Sequence, residues 1–323
     1  MRIFLLLIFT CLPLSLQAAP CSTASPECSE WIPMEGSLRS LVYRSYPLEA
    51  RNENITRAVV VVHGGSRDAH NNFRHLMAAA FLAGALEDTL VVSPRFASSF
   101  GANCKDTLAA DELNWVCEWG GRHWNAGGIS INGPKTASYD VIDALLRRLA
   151  DRKNFPKLRS IVVAGHSSGG QFVSRYGMTN RMHDQVGVPV TYFVSNPGAY
   201  TYLDGKRPGA IAAHCANYDD WPYGLRNRVG YAAAFTDAQL TKQVVGRPMT
   251  IVLGELDIFP LVNFDQSCLA NAQGDSRYSR GIAFGKYIRE NYGAKHPTVV
   301  LQGCGHSTRC MFTADQALPL LFP

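Results

Sequence analysis

A mostly parallel central β-sheet with helices on both faces is the fold class this sequence predicts. Short β-branched runs alternate with helical patterns, no repeat or low-complexity linker divides them, and 46% of the 323 residues are hydrophobic, enough for a large core. The clearest strand spans 57–63, where Val59-Val60-Val61-Val62 is bounded by a polar stretch and by Gly64-Gly65. A continuous apolar run of that length belongs to a strand buried on both faces. Residues 70–84 read as a helix ending at a glycine, the residue that most easily takes the left-handed turn after a helix, and a strand follows at 89–93. Over 136–151, Val141, Ile142, Leu145, Leu146 and Leu149 recur at three- and four-residue spacing, so a helix buries one face there. Further strands are expected over 159–164, 188–195, 249–253 and 298–302.

Two stretches break the alternation. Residues 96–133 carry Trp115, Trp119 and Trp124, and residues 196–246 carry Tyr200, Tyr202, Tyr218, Trp221 and Tyr223. Both are too long for plain connections. Loops at the carboxyl ends of parallel strands build the site in such sheets, so these insertions are expected to form a rim or cap, with aromatics that either face the site or pack inside their own loops.

The N-terminus reads as an export signal over residues 1–18: Arg2, then an apolar stretch from Ile3 to Phe9, then small residues around Ala18-Ala19. It is short and broken at Pro13, and no later apolar stretch reaches the roughly 18 residues that a spanning helix needs. The mature chain, 19–323, is therefore expected to be one domain without a membrane span, secreted to the extracellular space or periplasm. A net charge of +5 without any run of Lys and Arg argues against a nucleic-acid partner.

Export makes disulfides the expected state of the eight cysteines beyond the signal. Spacing suggests Cys21 with Cys28, Cys104 with Cys117 and Cys304 with Cys310, leaving Cys215 and Cys268 as a long-range pair. A zinc site at Cys304, His306 and Cys310 would lack a second Cys-x-x-Cys or His cluster at ligand spacing, so no metal and no other cofactor is expected.

The strongest chemical signal is Gly165-His166-Ser167-Ser168-Gly169, directly after one strand and before a helical stretch. This is G-x-S-x-G in the context its mechanics require: a tight strand-to-helix turn strains the central serine and exposes its hydroxyl, with glycines where a Cβ would clash. Ser167 is thus the expected nucleophile, with Ser168 as the helix-start residue beside it. A serine hydroxyl needs a base to take its proton, and His306, in Gly303-Cys304-Gly305-His306-Ser307, follows the 298–302 strand. His296 precedes that strand and is expected at the surface; His166 is expected to pack beside the nucleophile. After the 249–253 strand either Glu255 or Asp257 could orient the imidazole, and Asp265 reads as a helix start before Ser267. For the developing oxyanion, one donor is expected from the Ser168 N–H and the second from Gly65, or failing that Ser66, on the loop after the first strong strand.

On His63-Gly64-Gly65 with Arg67-Asp68-Ala69, Gly165-His166-Ser167-Ser168-Gly169-Gly170, Gly254-Glu255-Leu256-Asp257 and Gly303-Cys304-Gly305-His306, the sequence resembles secreted serine esterases of the α/β-hydrolase superfamily. The resemblance covers nearly all of the mature chain and is greatest to the branch holding polyester depolymerases and feruloyl esterases. It implies Asp257 as the acid, an acyl-enzyme mechanism, and a small-molecule or polymer ester as substrate. Similar frames also carry serine peptidases and amidases, and a non-catalytic binding protein is the third alternative. The two insertions depart from short cutinase-like chains.

Overall fold

A computed structural model of the protein describes residues 19–101, 104–211, 214–260 and 263–323, so the expected signal segment lies outside the described residues. Strands β1 (Ser29–Pro33), β2 (Arg39–Arg44), β3 (Arg57–Val62), β4 (Thr89–Pro94), β5 (Ser160–His166), β6 (Val190–Ser195), β7 (Met249–Gly254) and β8 (Thr298–Leu301) form one sheet in the order β1-β2-β4-β3-β5-β6-β7-β8. Strand β2 runs antiparallel to both its neighbours, and β4 through β8 pair in parallel. The main helices are α1 (Ala69–Leu82), α2 (Ser138–Leu149), α3 (Ser168–Thr179), α4 (Asp237–Gly246), α5 (Cys268–Asn271), α6 (Arg277–Tyr292), α7 (Thr308–Thr313) and α8 (Leu318–Leu321).

The period of two along a strand divides the core. In β3, Val59 and Val61 join Phe73, Leu76 and Met77 of α1 and Phe312 of α7 on one face, while Val60 and Val62 join Ile142 and Leu145 of α2, Phe172 of α3 and Phe284 of α6 on the other. All four valines are fully buried, each worth roughly 1.5–3 kcal/mol against the exposed state. Helix α1 ends where expected, with Gly84 at φ +62° just beyond it.

The N-terminal hairpin β1–β2 and helices α4 and α6 were not anticipated; α4 occupies the end of the 196–246 stretch. The aromatics of the two long stretches divide. Trp115 and Trp124 are buried, with Trp124 stacked on Phe96 at 5.4 Å, and Tyr200 stacks on Phe284 at 4.4 Å. Trp119 alone of the three tryptophans in 96–133 is exposed. One surface expectation is corrected: His296 is buried, its Nε2–H donating to the Val244 carbonyl at 2.7 Å, because the segment before β8 tucks under α4.

The described residues hold four disulfides: Cys21–Cys28, Cys104–Cys117, Cys215–Cys268 and Cys304–Cys310. Among the described residues, no helix is long and apolar enough to cross a membrane.

Candidate active site

Ser167 directly follows β5 and caps α3 with φ +60°, a conformation rare for a residue with a side chain. Backbone crowding imposes this geometry. A Cβ at Gly165 would run into the Gly169 carbonyl, one at Gly169 into the Val62 carbonyl, and one at Gly170 into the Ser195 carbonyl. The Ser167 N–H donates to the Ser195 carbonyl at 3.0 Å, which pins the elbow to β6.

His306 Nε2 lies 2.9 Å from Ser167 Oγ, and His306 Nδ1 lies 2.7 Å from Asp257 Oδ2. The structure thus brings together the three side chains the sequence singled out from loops after β5, β7 and β8. Glu255 takes no part in this chain; its Oε2 accepts the Gly303 N–H at 3.0 Å. Asp265 accepts the Ser267 N–H and the Tyr223 hydroxyl at 3.0 and 2.6 Å. His166 is buried beside His306, ring centroids 4.5 Å apart, with its Nδ1 paired to Thr308 Oγ1 at 2.9 Å. Burial, and then the neighbouring His306, push its pKa well below that of a free imidazole, which keeps it neutral.

Two positioning residues escaped the sequence reading. Asn196, at φ +41° just after β6, accepts the Gly254 N–H at 2.8 Å and reaches the Gly305 carbonyl at 3.5 Å, so one buried amide ties the acid loop to the histidine loop. Arg277, the first residue of α6, is buried with its guanidinium facing the second oxygen of Asp257. The only sequence signal for Asn196 is its residue type, one of the few that accept positive φ. Arg277 offered none. The Cys304–Cys310 bridge encloses the histidine loop, and it leaves neither sulfur as a metal ligand.

The loop after β3 lies against the elbow: a Cβ on Gly64 would sit 3.7 Å from Ser167 Cβ, and one on Gly65 3.3 Å from Ser168 Oγ. Neither the Gly65 N–H nor the Ser168 N–H donates to another described residue. His63 fixes this loop, its Nδ1–H donating to the Gly64 carbonyl and its Nε2 accepting the Phe96 N–H, both at 2.9 Å. Burial pushes its pKa down to about 4, so it stays neutral. Arg67, at φ +56°, donates to the Gly65 carbonyl at 2.9 Å and grips Asp106 at 2.6 and 3.3 Å. Burial alone would raise the Asp106 carboxyl, but Arg67 and the Ser98 N–H outweigh it and hold the pKa below its usual value.

A cleft of about 410 Å³ opens beside the elbow, lined by Gly65, Arg67, Trp119, His123 and Ser168 among others. Trp119 also borders a second cleft of about 330 Å³ with Trp221, Tyr223 and Asp265. Larger hollows near Arg181 and near Arg159, of about 580 and 610 Å³, touch none of the residues above.

No family model and no curated protein matches the sequence. Solved structures do. A poly(aspartic acid) hydrolase from Sphingomonas sp. KT-1 is similar at 21% identity and TM-score 0.62, over 91% of this chain and 98% of that one. A poly(3-hydroxybutyrate) depolymerase from Bordetella parapertussis is similar at 22% identity and TM-score 0.61, over 88% and 84%. The chain has the α/β-hydrolase fold. In that fold the elbow after β5, the loop after β3 and the loops after β7 and β8 gather at the carboxyl edge of the sheet, where open α/β sheets bind their ligands.

Proposed function

We propose that this α/β-hydrolase is a secreted serine hydrolase of carboxylic esters. The observation that carries the reading is the continuous chain from Ser167 Oγ through His306 to Asp257, at 2.9 and 2.7 Å, with the nucleophile on a strained elbow. His306 Nε2 takes the hydroxyl proton as Ser167 Oγ bonds to the ester carbonyl carbon. Asp257 accepts from Nδ1–H, which fixes the tautomer and offsets the charge of the imidazolium. The carbonyl oxygen becomes an oxyanion held by the Gly65 and Ser168 N–H groups, each worth about 3–4 kcal/mol in the transition state. Collapse breaks the ester C–O bond, and the alcohol leaves with the proton from His306. Water then attacks the acyl-enzyme by the same route, releasing the acid and restoring Ser167.

Secretion is supported by four disulfides in a chain whose N-terminus has the pattern of an export signal. Amide hydrolysis is the competing reaction, and one fold neighbour is named for poly(aspartic acid). Turnover of p-nitrophenyl esters of several chain lengths should far exceed that of matched anilides. Ser167→Ala should lose several orders of magnitude in ester turnover while remaining folded, and an organophosphonate should label Ser167 and leave Ser168 unmodified. Wild-type turnover in Ser167→Ala would overturn the proposal.

A further inference from the structure

His123 belongs to no step of the mechanism above, yet it lines the cleft beside Gly65 and Ser168. It is 4% exposed. Its Nδ1 caps the short helical turn Trp124–Ala126 by accepting the Asn125 N–H at 3.1 Å. A neutral imidazole that accepts at one nitrogen carries its proton on the other, so Nε2–H is a donor. That nitrogen has no hydrogen-bond partner among the described residues, and it is not one of the fully sealed polar atoms. Burial pushes the imidazole pKa down to about 3, so at neutral pH the group is a fixed neutral donor.

The donor is held rigidly relative to the nucleophile. Asn125 Nδ2 donates to Gln171 Oε1 at 3.2 Å, and Asn125 Oδ1 accepts from Arg175 Nη1 at 3.1 Å. Gln171 and Arg175 both belong to α3, the helix that begins next to Ser167. On its face the imidazole stacks against Trp119 at 5.2 Å and 4°, and Trp119 is 53% exposed between the two clefts. A nearly buried N–H left unpaired costs about 1–3 kcal/mol, a cost removed when a ligand brings an acceptor.

We propose that His123 Nε2–H is the recognition donor of a substrate subsite, binding a second oxygen acceptor of the substrate a few bonds from the scissile ester while Trp119 packs on the intervening apolar chain. The favoured class is then an ester with a further carbonyl or ether oxygen, as in a diester, over a simple alkyl ester. This rests on the ester-hydrolase reading of the same site.

Two pairs of equal chain length test it on either side of the scissile bond: diethyl succinate against ethyl heptanoate, and ethylene glycol dibutyrate against heptyl butyrate. The wild-type enzyme should favour the diester of at least one pair by about tenfold in kcat/KM, mainly through KM, the size of one well-made hydrogen bond. His123→Asn keeps an oxygen where Nδ1 caps Asn125 but has no outer N–H, and it should erase that preference. His123→Gln places an amide N–H near the Nε2 position and should retain part of it. Equal kcat/KM within both pairs for the wild type, or a preference that survives intact in His123→Asn, would overturn the subsite. Failure of the parent reading looks different: no ester of the four would be turned over at all.

Discussion

Arg277 Nη1 stands 3.6 Å from Asp257 Oδ1, and neither side chain has more than 1% of its surface exposed. The carboxylate therefore meets the His306 imidazole on one oxygen and a cation on the other. Removing one member of a buried ion pair is far more damaging than never having had the pair, because the remaining charge has lost its water and its partner. Arg277→Met should lower unfolding stability by about 3–5 kcal/mol and reduce ester turnover with it, whereas Arg277→Lys, which keeps the charge, should lose less. Urea unfolding of the two variants decides: equal stability of Arg277→Met and wild type would mean that Asp257 does not depend on this cation.

The two carboxylates after β7 are separable by substitution. Asp257→Asn should cost about 10⁴ in turnover by presenting the wrong hydrogen-bonding group to Nδ1. Glu255→Gln, whose carboxylate accepts only the exposed Gly303 N–H, should cost far less. The opposite ranking in a chromogenic ester assay would transfer the acid role to Glu255.

Replacing both members of the Cys304–Cys310 bridge by serine should lower turnover more than it lowers the melting temperature. Closing a loop with a sequence separation of 6 restrains the unfolded chain little, by about 2 kcal/mol in the chain-entropy model. It does restrain the loop that carries His306, and turnover depends steeply on that ring's distance from Ser167. A variant that melts much earlier yet turns over normally when folded would contradict this.

Stability should decline on mild acidification. Burial lowers the folded-state pKa of His63 to about 4 and of His123 to about 3, against 6.5 for the free group. Below about pH 6.5 the unfolded chain therefore binds protons that the folded chain refuses, and stability falls as pH drops towards 4; above 6.5 these groups contribute no slope. Melting temperatures from pH 7.5 to 4.5 should fall steadily once below 6.5, and less steeply in His63→Gln, whose amide cannot titrate. A melting temperature constant across that range would refute the assignment of neutral buried imidazoles.

What the sequence disclosed and what it concealed follow from the range of the forces involved. Val59–Val62 and the Gly165–Gly170 elbow are legible because short-range backbone sterics and a strand's own period determine them. The β1–β2 hairpin was missed because its strands, Ser-Glu-Trp-Ile-Pro and Arg-Ser-Leu-Val-Tyr-Arg, are half-exposed and mix charged with apolar residues. Helix α6 was missed for a related reason: Arg277 and Arg280 lie on its buried side, so charge falls where the helical period calls for apolar residues. Asn196 and Arg277 act only through partners far along the chain, at Gly254 and Asp257, and no local pattern announces such pairings.

The four disulfides join each cysteine from Cys21 onward to the next one in the chain, with separations of 7, 13, 53 and 6 residues. No ring is nested in another and none interlocks. A polypeptide entering an oxidising compartment with its N-terminus leading can therefore seal each ring as it arrives, so that simple vectorial oxidation yields the native pattern and no reshuffling is required. The one long wait falls on Cys215, whose ring encloses β7 and Asp257; that ring cannot close until both have arrived.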